Sequence, residues 1–224
     1  MSVFEHPGTG EEDSAQPRLT KRGARTRQKL LDAAEEIFGK KGYYNTSIVD
    51  ICQAAEVAQG TFYLYFSSKY EIFAELITQL SRDFRRRIRE EVDKVKSQAE
   101  AQQIGFRTFF EWVKNHRNLY SIVQQSVLVD ENLYRSYYER LASGYIKGLE
   151  QAMEDGEFRR LDPETVAYCL MGISQFIGMR WVYWEGRDVP EHVLNDAFSF
   201  IFDGLKAKDG RAEDEACACG KESS

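Results

Sequence analysis

Two runs of helical spacing, separated by a very short break, limit this chain more than any other feature. From Thr46 to Lys69 it reads TSIVDICQAAEVAQGTFYLYFSSK. Ile48, Ile51 and Ala55 recur three and four apart behind a polar start at Thr46 and Ser47. That is the spacing of one buried helix face, with Thr46 expected as the cap. The pattern stalls at Glu56, resumes at Val57 and runs through Thr61, Phe62, Tyr63, Leu64, Tyr65 and Phe66 to a new cap at Ser67 or Ser68. By propensity alone TFYLYF is a strand, because it is β-branched and aromatic and alternates. A single strand between helical segments has no partner for its backbone groups, so a helix is expected instead, with Phe62 and Phe66 on one side together with Val57. Two short helices across a tight turn form the layout that places a reading helix in a DNA groove.

The flanks fit that layout. A first helix is expected from about Arg22 to Lys41, burying Leu30, Ala33, Ala34, Ile37 and Phe38, with Gly42 just past its end. Lys40 and Lys41 complement the dipole of its last turn and need not touch phosphate. Ser68, with Glu71 three residues on, reads as a capping box that opens a long helix to about Val95. Phe73, Leu76, Ile77, Leu80, Phe84, Ile88 and Val95 give it a continuous apolar line that would couple the two halves of the chain. Arg85, Arg86, Arg87 and Arg89 read as a solvated face, paired as Arg86–Glu90, Arg87–Glu91 and Arg89–Asp93.

With LLDAAEEIF, Gly42, Thr46, IVDICQAAEV, QGTFYLYF and Lys69, the run from Arg27 to Phe73 resembles the DNA-binding domain of the TetR family of bacterial transcriptional repressors, without a gap. The resemblance implies an all-α protein: an N-terminal three-helix helix-turn-helix domain followed by a helical ligand-binding and dimerisation domain. It implies a homodimer on a palindromic stretch of double-stranded DNA, released by a small apolar or aromatic effector. Carried over residue by residue, it gives Thr61 a base edge or thymine methyl, sets Gln59, Gly60 and Leu64 near bases, and gives phosphates to Tyr63, Tyr65, Lys69 and the helix start at Thr46 and Ser47. Two positions depart from the family pattern. Glu56 stands where Gly is usual in the turn, and Ala58 where Ser or Thr usually opens the reading helix. A non-Gly residue at positive φ costs on the order of 1 kcal/mol.

Charge agrees once it is located. The 224 residues carry a formal charge of −6, yet between Arg18 and Phe66 eight basic side chains face five acidic ones. Phosphate contact needs such a local excess. The expected organisation is a disordered arm at 1–20, a DNA-binding domain at 21–68 with its helix-turn-helix at about 46–66, a ligand-binding and dimerisation domain at 69–206, and a disordered tail at 207–224. The basic end of the arm, Arg18 to Arg25, is a further candidate for DNA contact or a simple solubilising leader. Nothing approaches the roughly 18 apolar residues of a membrane helix, and a cytoplasmic location is expected. Cys52 and Cys169 read as small buried residues. Cys217 and Cys219 lack a second Cys pair or a nearby His, so no metal is expected, and no cofactor.

The C-terminal half reads as helices broken near 116–118, 130–132, 156–163 and 186–190, with Pro163 and Pro190 in first turns. It is unusually aromatic. Phe106, Phe109, Phe110, Trp112, Tyr137, Tyr138, Met171 and Met179, with Gln124 and Gln175 as polar groups, are the expected lining of an effector cavity, and Gln125 and Arg180 are further candidates to orient a ligand. The last two helices carry Leu170, Ile173, Ile177 and Trp181, then Leu194, Ala197, Ile201 and Leu205. The resemblance assigns these to a four-helix dimer interface; by spacing alone they could equally pack within one subunit. Gly172, Ser174 and Gly178 keep one surface small for a neighbouring helix. Two other functions are alternatives for such a chain: a helical protein-interaction module that does not use DNA, and a helical enzyme. The sequence shows no nucleophile beside a base, no HExxH and no P-loop, and His6, His116 and His192 are scattered.

Overall fold

The computed structural model describes residues 20–206, and the proposed arm contact at Arg18 and the tail cysteines lie outside them. Nine helices follow in order among the described residues: α1 (Lys21–Lys41), α2 (Ile48–Ala54), α3 (Gln59–Phe62), α4 (Lys69–Val92), α5 (Gln98–Asn115), α6 (Arg117–Val129), α7 (Glu131–Glu154), α8 (Pro163–Ile177) and α9 (Glu191–Leu205). The last turns of α8 widen into a π-helical segment, Gly178–Trp184.

Local chemistry sets the boundaries. Thr20 caps α1, and Gly42 ends it at φ 81°, with its N–H donating to the Phe38 carbonyl. Asp130 caps α7 with one carboxylate oxygen on two backbone N–H groups, and Asp162 caps α8 ahead of Pro163. Ser68 caps α4 as expected, but Glu71 reaches back to the amide and hydroxyl of Ser67 rather than to Ser68. α4 stops at Val92, three residues short of the expectation.

Leu30, Leu31, Ala34 and Phe38 of α1 form the centre of the N-terminal bundle, packed with Ile51, Phe62, Phe66, Ile72 and Phe73. Phe38 meets Phe73 edge to face at 5.3 Å. α1 also lies on α6, and α4 packs along α5 and α7, so the bundle sits directly on the C-terminal helices.

Three expectations fail here for packing reasons. Of the pairs on α4 only Arg87–Glu91 forms, at 3.7 Å; Arg86 turns to Asp83 and Arg85 donates to the Ser81 carbonyl. Cys169 is exposed rather than buried, because α8 turns Val166, Ala167, Leu170, Met171 and Ser174 inward and Cys169 lies opposite. Of the two glycines, only Gly178 admits a close neighbour: a Cβ there would lie 2.9 Å from Phe109 of α5, whereas Gly172 faces open space; Ser174 is buried.

Candidate functional site

The reading unit is built on its caps. Ser47, not Thr46, caps α2: its hydroxyl accepts from the Asp50 amide while the Asp50 carboxylate accepts from the Ser47 amide, closing a capping box. The Ser47 hydroxyl and Lys41, which reaches Asp50 at 2.9 Å, hold the Asp50 carboxyl well below the usual carboxylate range. Thr46 is 2% exposed and its hydroxyl donates to the Gly42 carbonyl, so its side chain closes the preceding turn and cannot reach DNA. Lys40 pairs with Glu36 along α1.

Glu56 takes φ 55°, the one positive φ outside glycine among the described residues, and Ala58 opens α3 without a side-chain cap bond. Both departures therefore fall on weak points of the turn. α3 is a single turn, shorter than the sequence pattern suggests. Tyr63 to Tyr65 continue as tight turns, with the Phe66 N–H bonded back to Phe62, because Phe62 and Phe66 are both drawn into the core.

What remains outside is a compact exposed patch. Ser47, Gln59 and Gly60 are open, Tyr63 is 52% and Leu64 77% exposed, while Thr61 and Tyr65 are half-buried. Such exposure of a leucine is informative only because it recurs beside Tyr63 and Val49. A Cβ on Gly60 would meet nothing within 4 Å, so the fold itself does not require glycine there. Lys69 is not free for phosphate. Its ammonium donates to the carbonyls of Tyr43 (2.8 Å) and Thr46 (2.7 Å) and sits over the Tyr43 ring, and burial lowers its pKa.

Polar groups that the sequence did not single out tie this unit to the core. Tyr44 donates its hydroxyl to the Leu128 carbonyl of α6, and Tyr70 donates to Asp130 at the start of α7. Gln125, expected beside a ligand, instead faces α1, accepting from the Tyr43 amide and donating to the Phe38 carbonyl. No sequence signal distinguishes it from Gln124, its neighbour.

The expected effector lining divides. Phe109, Tyr137, Tyr138, Met171 and Gln175 converge with Phe84, Leu141, Tyr145 and Ser174 on a narrow pocket of about 20 Å³ between α4, α5, α7 and α8. Gln124 reaches its edge through the Tyr138 hydroxyl at 3.5 Å, and Gln175 donates to the Tyr120 hydroxyl at 2.7 Å. Burial pushes the Tyr145 phenol up to about 12 and raises those of Tyr120, Tyr137 and Tyr138, so the lining stays uncharged near neutral pH. The other expected lining residues point elsewhere. Phe106 packs on Phe198 of α9, Phe110 lies against Gly178, Trp112 stacks on His116 at the far side of α5, and Met179 is not part of the pocket. Arg180 pairs with Glu185 and covers Trp181.

The expected dimer face also divides. Leu170, Leu194, Ile201 and Leu205 are buried within the subunit, while Ile173, Ile177, Trp181 and Ala197 are half-buried. The apolar side chains presented outward are Tyr168, Phe176 (67% exposed) and Trp184 on α8 and its extension, and Phe200 (76%) on α9. No helix of the described residues is long and apolar enough to cross a membrane.

A capped α2, a strained turn, a one-turn α3 with an open polar and aromatic face, and a supporting α1 together define a helix-turn-helix DNA-binding regulator. The profile described as bacterial regulatory proteins, tetR family, matches residues 30–76. An HTH-type transcriptional regulator of Bacillus subtilis, YdgC, is 29% identical over 199 residues, which cover 85% of this chain and 97% of the relative. A fatty acid metabolism regulator protein of the same organism is 29% identical over 80% of this chain and 95% of its own. Among solved structures, the Bacillus subtilis transcriptional regulator FadR in complex with stearoyl-CoA shares the fold at a TM-score of 0.71, with 21% identity over 79% of this chain and 98% of that one. Residues 30–76 carry the DNA-binding domain of the tetR family of bacterial regulatory proteins, and the likeness to HTH-type transcriptional regulators extends over most of the chain.

Proposed function

We propose that this regulator is a dimeric repressor that grips a palindromic operator with two copies of the α2–α3 unit and releases it when an acyl thioester of coenzyme A opens the aromatic pocket. The observation that carries the reading is the position of that pocket. Phe84, one of its walls, lies on the helix that Ser68 starts directly beneath the reading unit, so widening the pocket displaces the same rod that sets the unit's angle. The pocket holds only about 20 Å³, where a ligand site needs some 300 Å³ or more, so an effector has to widen it. An uncharged aromatic lining suits an acyl chain, and the similarity to a fatty acid metabolism regulator and to a fold solved with stearoyl-CoA supports that class.

On DNA, the exposed Gln59, Gly60 and Leu64 face bases, Thr61 meets a base edge from its half-buried place, and Ser47, Tyr63 and Tyr65 hold phosphates. Labour divides at Ser68, with residues 21–68 reading DNA and 69–206 holding effector and partner copy. The exposed Tyr168, Phe176, Trp184 and Phe200 form the partner face, which must set the two units about 34 to 36 Å apart. The protein acts by binding, in the cytoplasm, without a catalytic step. Going from nearly full to nearly absent operator binding takes about 5.5 kcal/mol of differential affinity.

The test is an operator selected from random duplexes and titrated over a salt series, with and without palmitoyl- and stearoyl-CoA. A steep salt slope and loss of binding with acyl-CoA are expected. Operator affinity unchanged at an acyl-CoA concentration that raises the unfolding temperature would sink the effector assignment; a flat salt slope would sink DNA binding itself.

A further inference from the structure

A second and larger cavity lies outside both the reading face and the aromatic pocket. This cleft of about 460 Å³ separates α1 from α4, α5 and α6. α1 contributes Leu31, Asp32 and Glu35; the opposite wall contributes Leu80, Asp83 and Glu111. Its charge is one-sided. Arg87 is the lone guanidinium of the lining and is engaged by Glu91, while burial holds His116 below its ordinary pKa and hence neutral near pH 7. Asp32 accepts from Gln28 and Asp83 pairs with Arg86, but Glu35 and Glu111 have no ion pair among the described residues. Glu35 is half-buried, and burial followed by the nearby Asp32 charge raises its pKa, the mark of a carboxylate lacking a counter-charge.

Two more observations point to a ligand of a particular shape. Thr108 lines the cleft and is only 7% exposed, and its hydroxyl, which makes no side-chain hydrogen bond among the described residues, is open to solvent rather than sealed in the core. Leu76, Leu80 and the Trp112 ring add apolar surface to the same lining. A metal ion does not fit, since no three acidic, His or Cys side chains converge closely enough among the described residues to hold one. Carboxylates from different helices of a cleft that also carries apolar lining match cations joined by methylenes.

We propose that this cleft binds a linear diamine or polyamine, with ammonium groups against Glu35 on one wall and Glu111 on the other and the methylene chain over Leu80 and Trp112. The ligand would tie α1 to α4 and α5, and so fix the reading unit against the core at a site separate from the aromatic pocket. The site is independent of the acyl-CoA reading and is tested without DNA, because polyamines bind DNA themselves. The experiment is calorimetric titration of the full chain with spermidine at physiological salt, beside the double variant Glu35→Gln, Glu111→Gln. One spermidine per chain is expected, with affinity at least tenfold weaker in the double variant, whose unfolding temperature holds or rises because like charges are removed. Magnesium ion at equal charge and uncharged 1,8-octanediol should not compete. Equal affinity in the double variant, or competition by magnesium at equal charge, overturns the proposal.

Discussion

The backbone N–H of Tyr43 donates to the side-chain carbonyl of Gln125 at 2.8 Å, across 82 positions of sequence. The same amide returns a hydrogen bond to the Phe38 carbonyl at 3.2 Å, so one side chain of α6 holds both the end of α1 and the loop that leads into α2. Replacing Gln125 with Leu leaves a half-buried N–H without its partner, at a cost of about 1–3 kcal/mol. The unfolding midpoint should drop by a few degrees. Operator release by effector should weaken more than operator binding does, read by titrating both in the same variant.

Lys69→Met separates a clamp from a phosphate contact. The ammonium is spent on the Tyr43 and Thr46 carbonyls, so its loss should cost about 1.5–3 kcal/mol of stability, the range for hydrogen bonds to a charged group. Operator binding should fall with it and recover in a stabilising osmolyte. If binding stays weak in osmolyte and the salt slope drops by about one, Lys69 holds a phosphate after all.

Glu56→Gly removes the penalty of a side chain at φ 55°. A gain of about 0.5–1 kcal/mol is expected after the extra freedom of glycine in the unfolded chain is set against it. Chemical denaturation measures it, and a loss of stability would show that the Glu56 side chain does something the turn geometry does not reveal.

The Asp50 carboxyl is held low by the Ser47 hydroxyl, then by Lys41 and the Ser47 amide. A depressed carboxylate stabilises the fold fully above its unfolded pKa, and the contribution drains away as pH falls toward the folded value. Asp50→Asn should therefore melt lower than the parent at pH 7, with the gap narrowing once pH drops below about 4. A gap that does not change with pH would assign the effect to shape rather than charge.

Phe176→Arg places a charge in the middle of the outward face of α8 without touching the core, since the ring is 67% exposed. Sedimentation should show the variant as monomer with an unchanged helical signal, and cooperative operator binding should be lost. A variant that stays dimeric places the partner face elsewhere.

Much of the architecture was legible because it rests on local chemistry. Ser68, Gly42 and Pro163 marked helix ends that depend on backbone groups a few residues away, and Leu30, Phe38, Phe73 and Phe84 marked faces by spacing alone. Glu56 and Ala58 stood out only as departures from the pattern of the family the chain resembles. Direction was harder to read within an apolar run. α8 and α9 are apolar on more than one side, so spacing could not say that Leu170 and Ile201 face inward while Phe176 and Phe200 face out.

The sequence by itself determined the helical bundle and its helix-turn-helix, because caps, periodicity and backbone preference act over one or two turns. Only the tertiary structure decided that the Thr46 hydroxyl and the Lys69 ammonium donate to backbone carbonyls, that Gln125 rather than Gln124 ties the head to α6, and that carboxylates from α1 and α5 line one cleft. Those relationships join residues tens of positions apart. A side chain's partners at such distances are fixed by how helices dock, which no local pattern encodes.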